Sequence, residues 1–195
     1  MSKSIRDLAA LISEFPGIGP RQARRIVQFL LSKNPAYREK VAKMIVETGA
    51  RSAQCVSCFR YDDIAKGGLC RICSDPERDQ ASLMVVEKDA DIDSMEAAGV
   101  YRGRYFVLGG LIHMVEKKNA PKARVNELTE RIAKNGITEV ILALSTTPEG
   151  DYTAREITQM HTNVKTSLLG RGLSIGAEIE YADSETLRNA LKNRA

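Results

Sequence analysis

Apolar residues in the first fifty positions return at three- and four-residue steps, the spacing of one helix face. Ile5, Leu8, Ala9, Ile12 and Phe15 form the first such stripe. Phe15-Pro16-Gly17-Ile18-Gly19-Pro20 ends it. The two glycines supply backbone conformations that other residues avoid, and Pro20 suits the first turn of a new helix. That helix, predicted over about residues 21–32, turns Ile26, Val27, Leu30 and Leu31 inward. Asn34-Pro35, a cap followed by proline at the first helical position, predicts a third helix to about Ala50.

Residues 55–75 show little periodicity. Beyond them, short apolar runs alternate with amphipathic stretches. Leu83–Val86 reads as a buried strand, Tyr105–Leu108 and Val140–Leu144 as a second and a third, and Leu173-Ser174-Ile175 as a fourth. Helices are predicted over Asp89–Ala98, over Pro121–Asn135 with Val125, Leu128 and Ile132 on one face and Gly136 as the C-terminal cap, over Asp151–Leu169, and over Ser184–Lys192. Strands alternating with helices imply an α/β fold: a parallel sheet with helices on both faces.

Composition narrows the function classes. The 195 residues correspond to one or two domains. With 43% hydrophobic and 28% charged residues, disorder is excluded as the main state. No run approaches the length of a membrane-spanning helix, and the charged N-terminus is unlike a secretory signal. A cytoplasmic chain is expected, in which cysteines stay reduced and metal ligation outranks disulfides. The net charge of +4 is unevenly placed: residues 1–54 carry +6 and residues 76–195 carry −2. A basic head on a slightly acidic body points to a polyanion at the head, although a solvated helical surface has the same appearance.

The sharpest motif is Cys55-x2-Cys58-x11-Cys70-x2-Cys73, which holds every cysteine of the chain. Each Cys-x2-Cys pair can form a knuckle that aims two thiolates at one metal, and two knuckles complete a tetrahedral sulfur shell suited to Zn2+. Four thiolates leave no open position, so one structural Zn2+ per chain is expected; a redox dithiol or an iron–sulfur cluster is the alternative. Arg60, Lys66 and Arg71 are candidates to offset the surplus negative charge.

Pro16-Gly17-Ile18-Gly19-Pro20 between two helices resembles the hairpin of the helix-hairpin-helix family, which binds DNA without reading its sequence. Gly17 and Gly19 let the backbone approach a phosphate. The next helix offers free N–H groups at its positive end, and Arg21, Arg24 and Arg25 stand in its first turns. Such contacts position a protein on DNA and specify no bases. The same residues also fit an ordinary turn between packed helices.

Acidic residues follow two predicted strands: Glu87 with Asp89, Asp91 and Asp93, and Glu149-Gly150-Asp151. Strand C-terminal ends form the ligand crevice of open parallel sheets, and carboxylates there can hold Mg2+. The layout resembles the Toprim fold, with Glu-x-Asp where that family has Asp-x-Asp; solvated carboxylates at helix starts are the plainer account. His113 and His161 have no patterned partner, and Met84, Met95, Met114 and Met160 read as core filler.

The order of modules resembles the RecR family of bacterial recombination mediators over nearly the whole chain. The resemblance rests on Phe15–Pro20, the cysteine quartet, Val85-Val86-Glu87-Lys88-Asp89-Ala90-Asp91-Ile92, Gly103–Gly110, Ile137–Ala143, Glu149–Ala154 and Gly172–Asp183, the last like that family's Walker-B-like segment. The chain departs from the family pattern at Leu111–Val115, Ser145–Thr147 and Gly172–Ala177. The implied organisation is a helix-hairpin-helix DNA-binding head (1–54), a four-cysteine zinc module (55–76), a Toprim-like α/β domain (77–169) and a C-terminal segment for oligomer contacts (170–195). The resemblance implies a non-enzymatic, ring-shaped oligomer, typically a tetramer. It acts with RecO, and in some organisms RecF, to load RecA on single strands coated by SSB. Carried over by position, Arg21 and Arg25 contact DNA, and Glu87, Asp91 and Glu149 lie on the face that engages RecO. Two other classes stay open at this stage. One is a Mg2+-dependent nuclease or strand-transfer enzyme using Glu87, Glu149 and Asp151. The other is a zinc adaptor whose basic head binds protein.

Overall fold

The computed structural model describes residues 2–64, 67–113 and 122–194. The chain forms two compact units, one ending at Ser52 and the other beginning at Ala53.

The first unit holds helices α1 (Lys3–Ser13), α2 (Pro20–Ser32) and α3 (Pro35–Arg51). α1 and α2 pack through Ala9, Ile12, Ala23 and Val27, with Ile5, Ile18, Ile26 and Leu30 partly buried around them. Alanine on both sides of the contact lets the helix axes approach closely. Asn34 caps α3 by accepting from the Tyr37 amide at 2.9 Å. Three residues expected to face inward do not: Leu8 is 40% exposed, Phe15 59% and Leu31 49%. Two helices bury only one narrow stripe against each other, and α3 buries no residue of its own.

The second unit opens with a two-stranded ribbon, β1 (Ser52–Gln54) with β2 (Tyr61–Asp63), followed by the short α4 (Arg71–Ser74). Then come β3 (Asp79–Val86), α5 (Asp89–Ala98), β4 (Gly103–Val107), α6 (Val125–Lys134), β5 (Glu139–Ala143), α7 (Pro148–Met160), β6 (Lys165–Leu168) and α8 (Ser184–Lys192). The sheet is all parallel in the order β4-β3-β5-β6, with Val85 opposite Phe106 on one side and Leu142 on the other. Alternation along the strands divides the core in two. Leu83, Val85, Phe106, Val140 and Leu142 pack with Leu128 and Ile132 of α6 and with Ala154 and Ile157 of α7. Met84, Val86, Tyr105 and Val107 pack with Ile92 of α5 and with all four cysteines. Both faces are covered, as the strand pattern requires, and on the second face the cysteine segment joins α5 as cover.

Three predicted elements differ, one of them the helix expected over Pro121–Asn135, which starts only at Val125, residues 122–124 lying outside it. The helix expected over Asp151–Leu169 ends at Met160, and Lys165–Leu168 is the fourth strand, in register with β5 from Glu139↔Lys165 to Leu142↔Leu168. A free edge of β5 offers this segment a full ladder, which outweighs its helical spacing. Leu173-Ser174-Ile175 is not a strand; it lies in irregular chain with Ile175 fully exposed. The cap of α6 is Asn135 rather than Gly136, which follows it in the left-handed conformation at φ +62°; Pro121 lies outside the described residues. Met84 is buried and Met95 partly so, but Met160 is 53% exposed, and Met114 lies outside the described residues.

Candidate metal centre and nucleic-acid interface

The loop after β1 supplies Cys55 and Cys58, and α4 supplies Cys70, its cap, and Cys73. All four are buried, and their sulfurs lie within 4.8 Å of one another. Cys58 Sγ and Cys70 Sγ are 3.6 Å apart. A tetrahedral centre with Zn–S bonds of about 2.3 Å spaces its sulfurs by about 3.8 Å, so the set fits one such ion. None of the four forms a disulfide. Backbone amides point at the sulfurs, Cys70 N to Cys55 Sγ and Cys73 N to Cys70 Sγ, both at 3.4 Å. Such donors favour thiolates. Hydrogen bonds from Cys58, Cys70 and Cys73 hold the Cys55 thiol far below its ordinary value, and Cys58 is pushed far up by the same cluster.

The knuckles are tied to the sheet. The Val107 amide donates to Cys58 O at 2.8 Å, which occupies the open side of edge strand β4. Phe59 takes a left-handed conformation, φ +64°, to close the first knuckle. Its ring packs edge-on against Phe106 at 5.3 Å, with the Arg124 guanidinium 5.1 Å away.

The expected counter-charges are engaged elsewhere. Arg60 is 6% exposed and sits among Asp93 at 3.1 Å, Asp89 at 3.5 Å and Asp62 at 3.8 Å. Burial opposes its charge, and the three carboxylates, Asp89 foremost, more than offset this, so the guanidinium rises above its ordinary value. Arg71 is exposed and pairs with Asp62 at 3.7 Å; Lys66 lies outside the described residues. Two of the acids expected to line the crevice, Asp89 and Asp93, therefore clamp the cysteine segment to α5.

The remaining acids occupy the C-terminal edge of the sheet. Glu87, just past β3, accepts from Ser145 Oγ at 2.5 Å and pairs with Lys88 at 3.5 Å. Asp91 accepts from the Lys88 amide at 2.8 Å and closes the first turn of α5. Glu149 and Asp151 lie in the first turn of α7. Asp151 is bound by Arg171 at 2.5 Å, which holds its carboxyl below the usual carboxylate range. Gly150 between them is fixed by packing: a Cβ there would collide with Ser145 O. Among the described residues the four cysteines are the one group of three or more metal-ligand side chains that comes together. The carboxylates form an acidic rim in which Glu87, Asp91 and Asp151 are each tied to a partner, and among the described residues they do not converge as a metal cage. The Arg171–Asp151 pair is not visible in the sequence, because 20 residues separate its members and β6 brings them together.

At the hairpin, Gly17 has φ +77°, which an L-residue adopts only under strain, and Gly19 caps α2. Ile18 anchors the turn against the α1–α2 core. α2 contains three arginines and no carboxylate. Arg24 reaches back to Pro20 O at 3.2 Å, whereas Arg21 and Arg25 are exposed and have no carboxylate partner among the described residues. The first-turn amides of α2 and these two side chains make one electropositive surface.

His161 is 5% exposed, with Nε2 3.3 Å from Thr129 Oγ1, and burial pushes its pKa down. It is a packed residue. Among the described residues no helix is long and apolar enough to cross a membrane.

Comparison with known proteins covers the chain from end to end. The model of the Toprim domain matches residues 81–173, and that of the RecR C-terminal region matches 172–195. A recombination protein RecR of Cereibacter sphaeroides is 38% identical over 192 residues, which is 97% of this chain and 95% of the relative. One from Jannaschia sp. is 38% identical over 195 residues, 99% and 96% of the two chains. One from Syntrophobacter fumaroxidans is 36% identical over 192 residues, 97% and 94%.

Proposed function

The chain belongs to the RecR family of recombination proteins, and on that premise we propose that it is a DNA-binding recombination mediator without catalysis of its own. The observation that carries this reading is the pair Arg21 and Arg25, exposed and unpaired beside a two-glycine turn at the start of a helix free of carboxylates. Gly17, Gly19 and Arg24 complete the surface. It suits a phosphate backbone of any sequence. One copy touches few phosphates; a ring of copies, expected to be a tetramer, multiplies them through effective concentration. Exposed apolar side chains at both ends of the chain, Leu11 and Phe15 in the head and Ile179 and Leu191 near the C-terminus, support contacts between copies.

The acidic rim of Glu87, Asp91 and Glu149 is the surface for a RecO-like protein, with RecF-like proteins as further partners. The outcome is loading of RecA on SSB-coated strands. One Zn2+ in the Cys55–Cys58–Cys70–Cys73 centre serves the fold, and the protein works in the cytoplasm on the nucleoid. The Mg2+-enzyme reading needs Glu87, Glu149 and Asp151 to converge on one ion. Asp151 is instead neutralised by Arg171, and Glu87 is bridged to Ser145.

The test is DNA binding by Arg21→Ala plus Arg25→Ala across several sequences and salt concentrations. Affinity is expected to fall uniformly, and the salt slope to flatten by about one unit for each phosphate that is no longer neutralised. Unchanged affinity at low salt overturns the reading. Solution mass with and without DNA tests the ring.

A further inference from the structure

A divalent ion held by four thiolates leaves two surplus negative charges in a buried place, where an uncompensated charge is costly. The arginines closest in sequence do not compensate it, since Arg60 and Arg71 are paired with carboxylates. The fold brings two others. Arg104 of β4 and Arg131 of α6 line, together with Cys73, Phe59 and Leu69, one cavity of about 430 Å3. Arg104 Nε and Arg131 Nε and Nη2 are shut off from solvent without a hydrogen-bond partner. Of the acids on the same cavity, Glu130 is bound to Lys134 at 2.8 Å, and Glu127 pairs with neither arginine. Two half-buried guanidinium groups side by side, neither paired with the carboxylates on the cavity, repel each other and call for an anionic group that faces them.

We propose that Arg131, with Arg104 beside it, is the counter-charge of the four-cysteine metal centre and retains the ion there from the far side of the cavity. This rests on the metal reading above. Burial acts against the charge on Arg131 and Arg104 adds to that, while Cys73, Cys58 and Cys55 act in its favour. Arginine stays protonated throughout. The arrangement couples the metal to the sheet: α6 has Leu128 and Ile132 in the core, so its packing sets where the guanidinium stands.

The experiment uses the full-length, metal-loaded chain and follows zinc transfer to a chromophoric chelator. Arg131→Met, which keeps the length of the stem and removes the charge, is expected to release the ion about 10–100-fold faster, the usual scale for outer-shell partners. Arg131→Lys is expected to restore slow release, and Arg104→Met to give a smaller acceleration. Release from R131M at the wild-type rate, or R131K as fast as R131M, overturns the proposal. Cobalt loading guards against a rebuilt or misfolded site. The tetrahedral thiolate absorption should keep its shape in R131M while half-saturation moves to higher cobalt, and a changed band shape also overturns the proposal. If the wild type carries no stoichiometric metal and Cys73→Ser changes nothing, it is the metal reading itself that fails.

Discussion

The head and the body of this chain use their apolar residues in opposite ways. From Ala53 on, a four-stranded sheet is covered on both faces, and its large side chains, Tyr105, Phe106 and Leu83 among them, are fully buried, as is Ile92 of α5. The head buries two alanines, an isoleucine and a valine, and leaves Leu11, Phe15, Phe29, Met44, Ile45 and Val46 half-exposed or more. A small core leaves a unit little stability of its own, and exposed apolar surface of this extent is what an interaction site presents; the body buries far more. The difference matches the division of labour proposed above: the head meets DNA and other copies, and the body holds the metal and the acidic rim.

Removing the metal is the severest way to separate the two. The cysteines are part of the core that covers one sheet face, alongside Met84, Val86 and Tyr105. Structural zinc contributes on the order of 10 kcal/mol in small modules. Chelation is therefore expected to unfold the cysteine segment and lower the melting temperature of the body, while the helical signal of the head persists. A body that melts unchanged in excess chelator contradicts this. Next in size is a contrast of substitutions. Phe106→Ala empties a fully buried site between Phe59 and α6 and is expected to cost about 3–5 kcal/mol in urea unfolding. Ile45→Ala, at a position 68% exposed, is expected to change stability of dilute protein by no more than about 0.5 kcal/mol. A large loss from Ile45→Ala in dilute solution would show that the head covers that face by itself.

Asn34→Ala probes the head through its backbone. The side chain satisfies the Tyr37 amide at 2.9 Å, and its loss is expected to cost about 1 kcal/mol of α3 stability, with Asn34→Gly costing only a few tenths. Circular dichroism against temperature checks this. The cap is readable in the sequence because everything it needs lies within four residues. The same holds for the cysteine quartet, whose spacing alone fixes two knuckles, and for the turn at Gly17 and Gly19. What the sequence does not disclose is what the sheet brings together. Asp89 and Asp93 have the spacing of crevice ligands, yet topology places them on Arg60, 29 and 33 residues away in sequence. Residues 165–168 follow a helical spacing and form a strand because β5 has an open edge. Arg131 has no local signal, since only the packing of α6 on the sheet places it on the same cavity as Cys73.

The smallest effect divides the units by pH. Both histidines lie in the body, and His161 is buried beside Thr129 with its pKa lowered by desolvation. Its unfolded value is about 6.5. Between that value and the lower folded one, the unfolded chain binds the extra proton, so stability is complete above about pH 6.5 and falls as pH drops through the folded pKa. The body should therefore unfold at lower urea at pH 5.5 than at pH 7.5, by less than about 1 kcal/mol, and His161→Gln should flatten this dependence while keeping a group able to bond Thr129 Oγ1. The head has no histidine, and its transition should keep the same midpoint over that range. If the H161Q body keeps the wild-type slope, the acid sensitivity comes from elsewhere, and His161 is not neutral in its packed site.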